Sequence, residues 1–469
     1  MGKNSIAKNS KVLTISYGIS KIINYGWGII IARMMSLEEF GLFSYIITIG
    51  AFLDILSDLG TSNYILRKFS KENTDIHKII TTTFIVRSSI FMTLIIVSSL
   101  LLSDSWLVAL LILLSYYFQN ITNMFNSFFR SQEQMNVEAN TIVLVRFVLL
   151  LMTIIAYFFD TEKLFLLSLV MVLSNLLGFL YITYKYYVHL KKDISFSKVY
   201  LADIKLLVLN SLPFALTIIL TTLYYRIDVF FLEKISGMEE VGLYNAAFKF
   251  IDISLIIPMV LVTPILPILA RSYESENNLF KSMLKRYVGL LSVIGTLGAL
   301  GIDIFSKPVI LISYGEQYSG AILILVILGY TLFFQFINYI IEYSLNVSNL
   351  QRFVNYNAVL GILINVSFCF IVIPIYGGIG AAYATVFTAF LMNIVNVFYL
   401  IFILKVKPNN SLIISYIGVI GIFVSNFMFT GYIYLFIKII FLVLIFIVTI
   451  KNYKKTVLQG GNIIASDNN

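Results

Sequence analysis

The sequence predicts an all-α polytopic membrane protein of about fourteen spanning helices, arranged as two six-helix lobes followed by a C-terminal pair. Three observations carry that prediction. Of the 469 residues, 59% are hydrophobic and 12% charged, with a mean hydropathy of +0.91; soluble chains carry roughly 25% charged residues. The apolar runs reach the ~20 residues that a spanning helix needs, and they are continuous, unlike the alternating strands of a β-barrel. Finally, the charges between the runs alternate in sign from one loop to the next.

The first run, 12–35, follows the polar stretch "MGKNSIAKNSK" and is too long for a signal-peptide core, so it stays as span one. Spans two to six are 41–66, 79–102, 106–129, 140–159 and 163–187. A long linker, 188–205, precedes spans seven to twelve at 206–232, 241–270, 286–306, 317–346, 353–374 and 379–404. The last pair is 412–430 and 432–450. This divides the chain into an N-lobe (1–195), a C-lobe (196–404) and an additional pair with a tail (405–469). One set of loops collects Lys3, Lys8, Lys11, Arg67, Lys68, Arg130, Lys185, Lys205, Arg271, Lys285, Arg352 and Lys405. The opposite set holds Glu38, Glu39, Glu233, Glu239, Glu240 and Glu316, with Lys163, Lys234 and Lys307 its only cations. The positive-inside rule then puts both termini in the cytoplasm.

Internal repetition supports the two lobes. "SLEEFGLFSY" at 36–45 returns as "GMEEVGLYNA" at 237–246, after an even number of spans. The halves are therefore parallel repeats about an axis along the membrane normal, and both acidic hinges lie outside. Span four carries Gln119, Asn123, Asn126 and Arg130, and span ten carries Gln335, Asn338, Glu342 and Asn346. Steps of three and four put each set on one helical face. Such stripes avoid lipid, which points to a polar cavity between the lobes; interhelical hydrogen bonding is the alternative.

Ionisable residues inside the spans are the candidate working groups. Lys21 lies ~15 Å into span one, close to the midplane. Asp54 and Asp58 share a face of span two and suit either a coupling ion or, for Asp58 in "SDLG", a helix end. Arg226 and Asp228 lie ~10 and ~7 Å below the outer surface, and Lys249 and Asp252 ~13 and ~17 Å. Asp228 shares its face with Thr217, Thr221 and Tyr224 and is expected to turn inward, towards Lys249. Arg87 and Arg146 sit about two turns in from the cytoplasmic face, where they either meet an anionic group or snorkel. Asp303 reads as interfacial. Prolines 213, 258, 264 and 267 mark bends in spans seven and eight.

Several function classes drop out. The net charge of +9 resides in short loops, so no nucleic-acid partner is implied. Cys369 is alone in an apolar run, and His77 and His189 are the only histidines, so no disulfide framework, metal site or cofactor is expected. No Walker motif supplies ATP chemistry. The short outer loops leave no room for the catalytic groups of a membrane polymerase or glycosyltransferase, so a non-enzymatic role is expected.

Two stretches, "GWGIIIARMMSLEEFGLFSYIITIGAFLDILSDLG" and "LYYRIDVFFLEKISGMEEVGLYNAAFKF", resemble the signature regions of Wzx-type flippases for O-antigen, capsule and exopolysaccharide repeat units. These belong to the MOP superfamily, together with MATE exporters and lipid II flippases. "LISYGEQYSGA" and "IPIYGGIGAAYAT" resemble that family's outer loops, and the resemblance covers roughly residues 1–404. It implies two lobes in a V around a central cavity, in a bacterial cytoplasmic membrane. It also implies export of an undecaprenyl-diphosphate-linked oligosaccharide by alternating access, with Na⁺ or H⁺ as coupling ion and a polymerase and chain-length machinery as partners. By position, the role of binding the diphosphate or acidic sugars falls to Lys21 and Lys249, then Arg226; Asp228 matches the acidic position that follows. The additional pair resembles that of lipid II flippases. A MATE-type drug exporter is the nearest alternative.

Overall fold

The computed structural model describes residues 3–69, 75–101, 105–159, 162–190, 198–274 and 278–428. All regular structure among these residues is helical. Among the described residues nine helices are long and apolar enough to cross a membrane, and a bent pair makes a tenth candidate. The protein is an all-α polytopic membrane protein. The expected span at 432–450 and the tail lie outside the described residues.

Contacts divide the chain into two compact units, Met1–Glu233 and Lys234–Asn469. The first holds α1 (Lys3–Met34), α2 (Leu37–Asp58), α3 (Thr61–Phe69), α4 (Ile76–Leu101), α5 (Trp106–Ser131), α6 (Met135–Tyr157) and α7 (Lys163–His189). Most of α8 (Leu201–Ser236) belongs with them. The second holds α9 (Met238–Ser254), α10 (Ile256–Val262), α11 (Leu266–Glu274), α12 (Asn278–Tyr314), α13 (Ala321–Gly329), α14 (Thr331–Val347), α15 (Gln351–Phe398) and α16 (Asn410–Met428).

The expected spans are interrupted where the sequence punctuates them. Span two breaks between α2 and α3, where Leu59 and Gly60 take left-handed conformations (φ 46° and 72°). There Asp58 Oδ1 accepts from the Thr61 hydroxyl and the Ser62 N–H, both at 3.0 Å, and caps the new helix. Span eight breaks at Leu255 and again in a 3-10 turn at 263–265, because Pro258, Pro264 and Pro267 withhold backbone donors. Span ten bends by 40° between α13 and α14. Spans eleven and twelve run on as α15, kinked at Gly377 (φ 56°).

The two acidic hinges start helices, as their charge favours, but use their glutamates differently. Ser36 and Glu39 form a capping box on α2. Glu240, in the first turn of α9, reaches instead to the kink in α15, where its Oε2 accepts the Gly378 N–H at 2.7 Å.

In the first unit α5 is the central helix. Ile121, Met124, Phe125, Phe128 and Phe129 pack on Ile65 of α3, Ile80 of α4, and Ile182 and Tyr186 of α7. On the opposite side of the unit, the Trp27 indole donates to Thr153 at 2.9 Å and joins α1 to α6. The start of α8 is seated against the α2–α3 break: a Cβ on Gly60 would stand 2.6 Å from both Ser211 O and Ala215 N. Lys78 pairs with Asp203 at 2.9 Å and, with the Tyr200 N–H, holds that carboxyl below the ordinary carboxylate range. In the second unit Gly295 lets α12 approach the α14 backbone at Phe333. The additional helix α16 docks by Tyr416 on Phe333 and Phe423 on Tyr330. Asp303, expected at the interface, is buried in α12 and accepts from the Tyr330 hydroxyl at 3.3 Å.

Candidate functional site

The polar face of α5 opens on a cavity of about 430 Å³ within the first unit. From α5 come Gln119, Thr122, Asn123, Asn126, Ser127 and Arg130. Tyr17 and Ser20 of α1, Ser62 of α3 and Asn175 of α7 complete the hydroxyl and amide lining. α6 contributes Glu138, Thr141, Ile142, Val145 and Arg146. The volume falls in the range of small-ligand pockets, roughly 300–1,000 Å³. Two buried groups in the wall, Thr122 Oγ1 and Asn126 Oδ1, have no hydrogen-bond partner among the described residues. Buried polar atoms normally find one, so both are available to a ligand.

The charges in this wall are unequal. Arg130 forms an ion pair with Glu138, reinforced by an Nε bond to Oε2 at 2.9 Å. The Tyr17 hydroxyl donates to Glu138 Oε1 at 2.8 Å and brings α1 to the same pair. Arg146, half-buried, makes no hydrogen bond or ion pair among the described residues. Its close electrostatic neighbour is Tyr116 of α5, which also lies within Coulombic reach of Asp54 and Arg226. With Arg130 and Glu138 neutralising each other, the lining carries one net positive charge, on Arg146.

Arg87, expected either to meet an anionic group or to snorkel, is placed differently. Its side chain is fully enclosed. It pairs with Asp58 and donates to Thr61, to Ser62 at 2.8 Å and to the Asn120 carbonyl at 2.9 Å. With these donors engaged, Arg87 is a bolt between α3, α4 and α5, and Asp58 is both its counter-ion and a helix cap. Asp54, one turn earlier, accepts from Asn120 Nδ2 at 2.6 Å.

The remaining sequence candidates lie outside the cavity lining. Lys21 is exposed on α1, one residue beyond the lining Ser20. Arg226 is half-buried on α8, and Asp228 is 3% exposed and accepts the Val229 N–H at 2.9 Å. Lys249 and Asp252, in the other unit, are half-buried on α9. On α14, Asn338 accepts from Asn393 at 2.7 Å, and Glu342 accepts from Asn396 at 3.0 Å.

Several lining residues are absent from the sequence candidates. Tyr17 and Ser20 share a helical face with Lys21 in "ISYGISK", a polar spacing within an apolar run that could have marked them. Asn175 is the only amide in span six. Glu138 reads as an ordinary loop charge, and no local signal marks it as buried.

A family model described as "Polysaccharide biosynthesis protein" matches residues 6–273, more than half of the chain. The chain belongs to the polysaccharide biosynthesis protein family. A MatE model matches residues 213–371 of this family member as well. No curated protein matches its sequence. Among solved structures, the fold matches a lipid II flippase MurJ in an inward closed conformation with a TM-score of 0.73. Identity is 18%, over 95% of this chain and 99% of that one. An inward-facing multidrug resistance MATE transporter of the MOP superfamily matches with a TM-score of 0.68 at 15% identity, over 83% and 96% of the two chains. A MOP superfamily transporter from Pyrococcus furiosus gives 0.61 at 15% identity, over 89% and 96%. This polysaccharide biosynthesis protein therefore has the fold of MOP superfamily transporters.

Proposed function

We propose that the protein is a flippase that carries an undecaprenyl-diphosphate-linked oligosaccharide from the cytoplasmic to the outer leaflet by alternating access, for surface polysaccharide biosynthesis. The observation that carries this reading is the first unit's cavity, lined by amides and hydroxyls around one arginine, Arg146, that has no partner among the described residues. Amides and hydroxyls suit a saccharide, because each can donate to or accept from a sugar hydroxyl. Arg146 suits an anionic group, to which a guanidinium presents two parallel N–H donors. An exporter of organic cations needs an unpaired carboxylate in such a wall, and the one carboxylate there, Glu138, is held by Arg130. Membership of the polysaccharide biosynthesis family supports the saccharide, and the MOP fold supports transport across the bilayer. Lys21, Lys249 and Arg226 are proposed as further contacts for the diphosphate.

Liposomes containing the purified protein and an undecaprenyl-diphosphate-linked disaccharide test the proposal. The protein is expected to expose the saccharide on the opposite leaflet to an added lectin faster than protein-free liposomes do. No acceleration, combined with export of an organic-cation dye, would instead make the protein a MATE-type exporter. In the same assay Arg146→Gln is expected to slow translocation roughly 10- to 100-fold, since a hydrogen bond to a charged group contributes ~1.5–3 kcal/mol and each ~1.4 kcal/mol is tenfold. Arg146→Lys should fall between, because it keeps the charge and loses the fork.

A further inference from the structure

α14 is covered by protein along most of its surface. Every residue from Thr331 to Leu345 is buried except Tyr339, Glu342 and Tyr343, and Asn346 continues the same strip, half-buried. Steps of three and four put these four side chains on one helical face. A face turned to lipid looks different: α15 shows Leu363, Phe370, Ile371 and Ile375, all exposed and apolar. A strip that carries a carboxylate and an amide avoids hydrocarbon and opens on a polar space. The internal repeat gives it a counterpart. With Gln335 set against Gln119 and Asn346 against Arg130, the strip corresponds to the α5 wall of the first unit's cavity. Tyr339 and Tyr343 then stand where that wall has Asn123 and Ser127.

The two tyrosine rings are stacked, with centroids 4.5 Å apart and planes at 29°. The Tyr339 hydroxyl is hydrogen-bonded to Tyr343 and to Thr263, in the 3-10 turn of the broken span eight, so the pair is held from two elements. Tyr343 is 39% exposed and makes no further ring contact among the described residues, which leaves its outer face open. Beside it Glu342 is half-buried. Its Oε1 accepts from Asn396 at 3.0 Å and from Asn357 at 3.4 Å, and its Oε2 has no hydrogen bond among the described residues. The Asn346 side chain has none there either.

We propose that Tyr343, backed by Tyr339, is a stacking platform for one pyranose ring of the transported saccharide, with Glu342 and Asn346 taking its hydroxyls. This site deepens the flippase reading above and rests on it. A pyranose has apolar C–H faces and a rim of hydroxyls. The negative face of an aromatic ring attracts the C–H face. A carboxylate oxygen accepts from a hydroxyl, and an amide both donates and accepts. A tyrosine that is already pinned loses little freedom when a ligand settles on it. Two parallel rings present a single face, unlike the cage of several rings that encloses an organic cation. The second unit thus supplies a flat apolar surface at the positions where α5 has only an amide and a hydroxyl.

Binding to the full chain in nanodiscs tests the platform with two probes, undecaprenyl diphosphate and the same lipid bearing a disaccharide. The wild type is expected to bind the disaccharide lipid more tightly. Tyr343→Ala should weaken that binding roughly 3- to 10-fold, the range for loss of an aromatic contact, without weakening the sugar-free lipid. Tyr343→Phe keeps the ring and should retain more affinity than Tyr343→Leu, which keeps only apolar bulk. If Tyr343→Ala does not fold, Asn346→Ala in the last turn of α14 decides, with a loss of roughly 3- to 10-fold expected for the disaccharide lipid alone. Equal weakening of both lipids, or of neither, overturns the platform, and so does leucine matching phenylalanine. Binding of tetraphenylphosphonium in place of the disaccharide lipid, abolished by Tyr343→Ala, overturns it in favour of an organic cation. If the wild type moves the saccharide across liposomes and these variants bind and move it equally well, the platform alone falls. A wild type that binds both lipids alike and moves no saccharide overturns the platform and the flippase reading together.

Discussion

Arg87→Met is expected to destabilise the first unit by about 3–5 kcal/mol, the cost typical of breaking a buried ion pair from one side. Arg87 is fully enclosed, and its removal leaves Asp58 without its cation. It also removes donors to Thr61, Ser62 and the Asn120 carbonyl, so α3, α4 and α5 lose a common tie. Methionine fills much of the volume and restores none of these bonds. The measurement is the melting temperature of the full chain in detergent, together with the yield of monodisperse protein. Adding Asp58→Asn is expected to recover part of the loss, because the buried charge disappears while an oxygen remains to accept from the Ser62 N–H. A variant that melts like the wild type and fails only in translocation would place Arg87 in contact with substrate after all.

Gly60→Ala is the second large effect. Gly60 has φ 72°, a region that costs an L-residue about 1–2 kcal/mol. The added methyl group would also lie 2.6 Å from Ser211 O and Ala215 N, two backbone atoms of α8 that cannot rotate away. Overpacking of that kind costs about 1–3 kcal/mol more. The start of α8 must lift from its seat, so a lower melting temperature and weaker translocation are expected together. An unchanged melting temperature would show that α8 is not seated there. Gly301, with open space around its position and a helical backbone, is the control: Gly301→Ala should leave both unchanged.

The limits of sequence reading show in pairs of similar residues. Arg87 and Arg146 look alike in the chain, each a single arginine about two turns inside an apolar run. One is enclosed by Asp58, Thr61 and Ser62; the other lines a cavity and has no partner among the described residues. The stripes of α5 and α14 both step by three and four residues, and each holds three amides and one charged group. Asn357, Asn393 and Asn396 of α15 supply amides to α14, whereas the face of α5 keeps unpartnered atoms at Thr122 and Asn126. Glu39 and Glu240 occupy equivalent places in a repeated hinge, yet one caps its own helix and the other holds a kink 138 residues away.

Sequence alone determined that this protein is a polytopic helical membrane protein, where most of its spans lie, which helix faces are polar and where the chain must turn. Those properties follow from local causes: the length of an apolar run, a three-or-four residue spacing, a glycine or proline at a break. Tertiary structure decided which polar groups are already satisfied and which remain available, because that depends on partners far along the chain. Tyr17 and Glu138 meet across 121 residues, and Asn120 and Asp54 across 66. A charge inside the bilayer is costly wherever it stands. Only the packing of other helices against it determines whether that charge gains partners in the protein, as at Arg87, or has none among the described residues, as at Arg146.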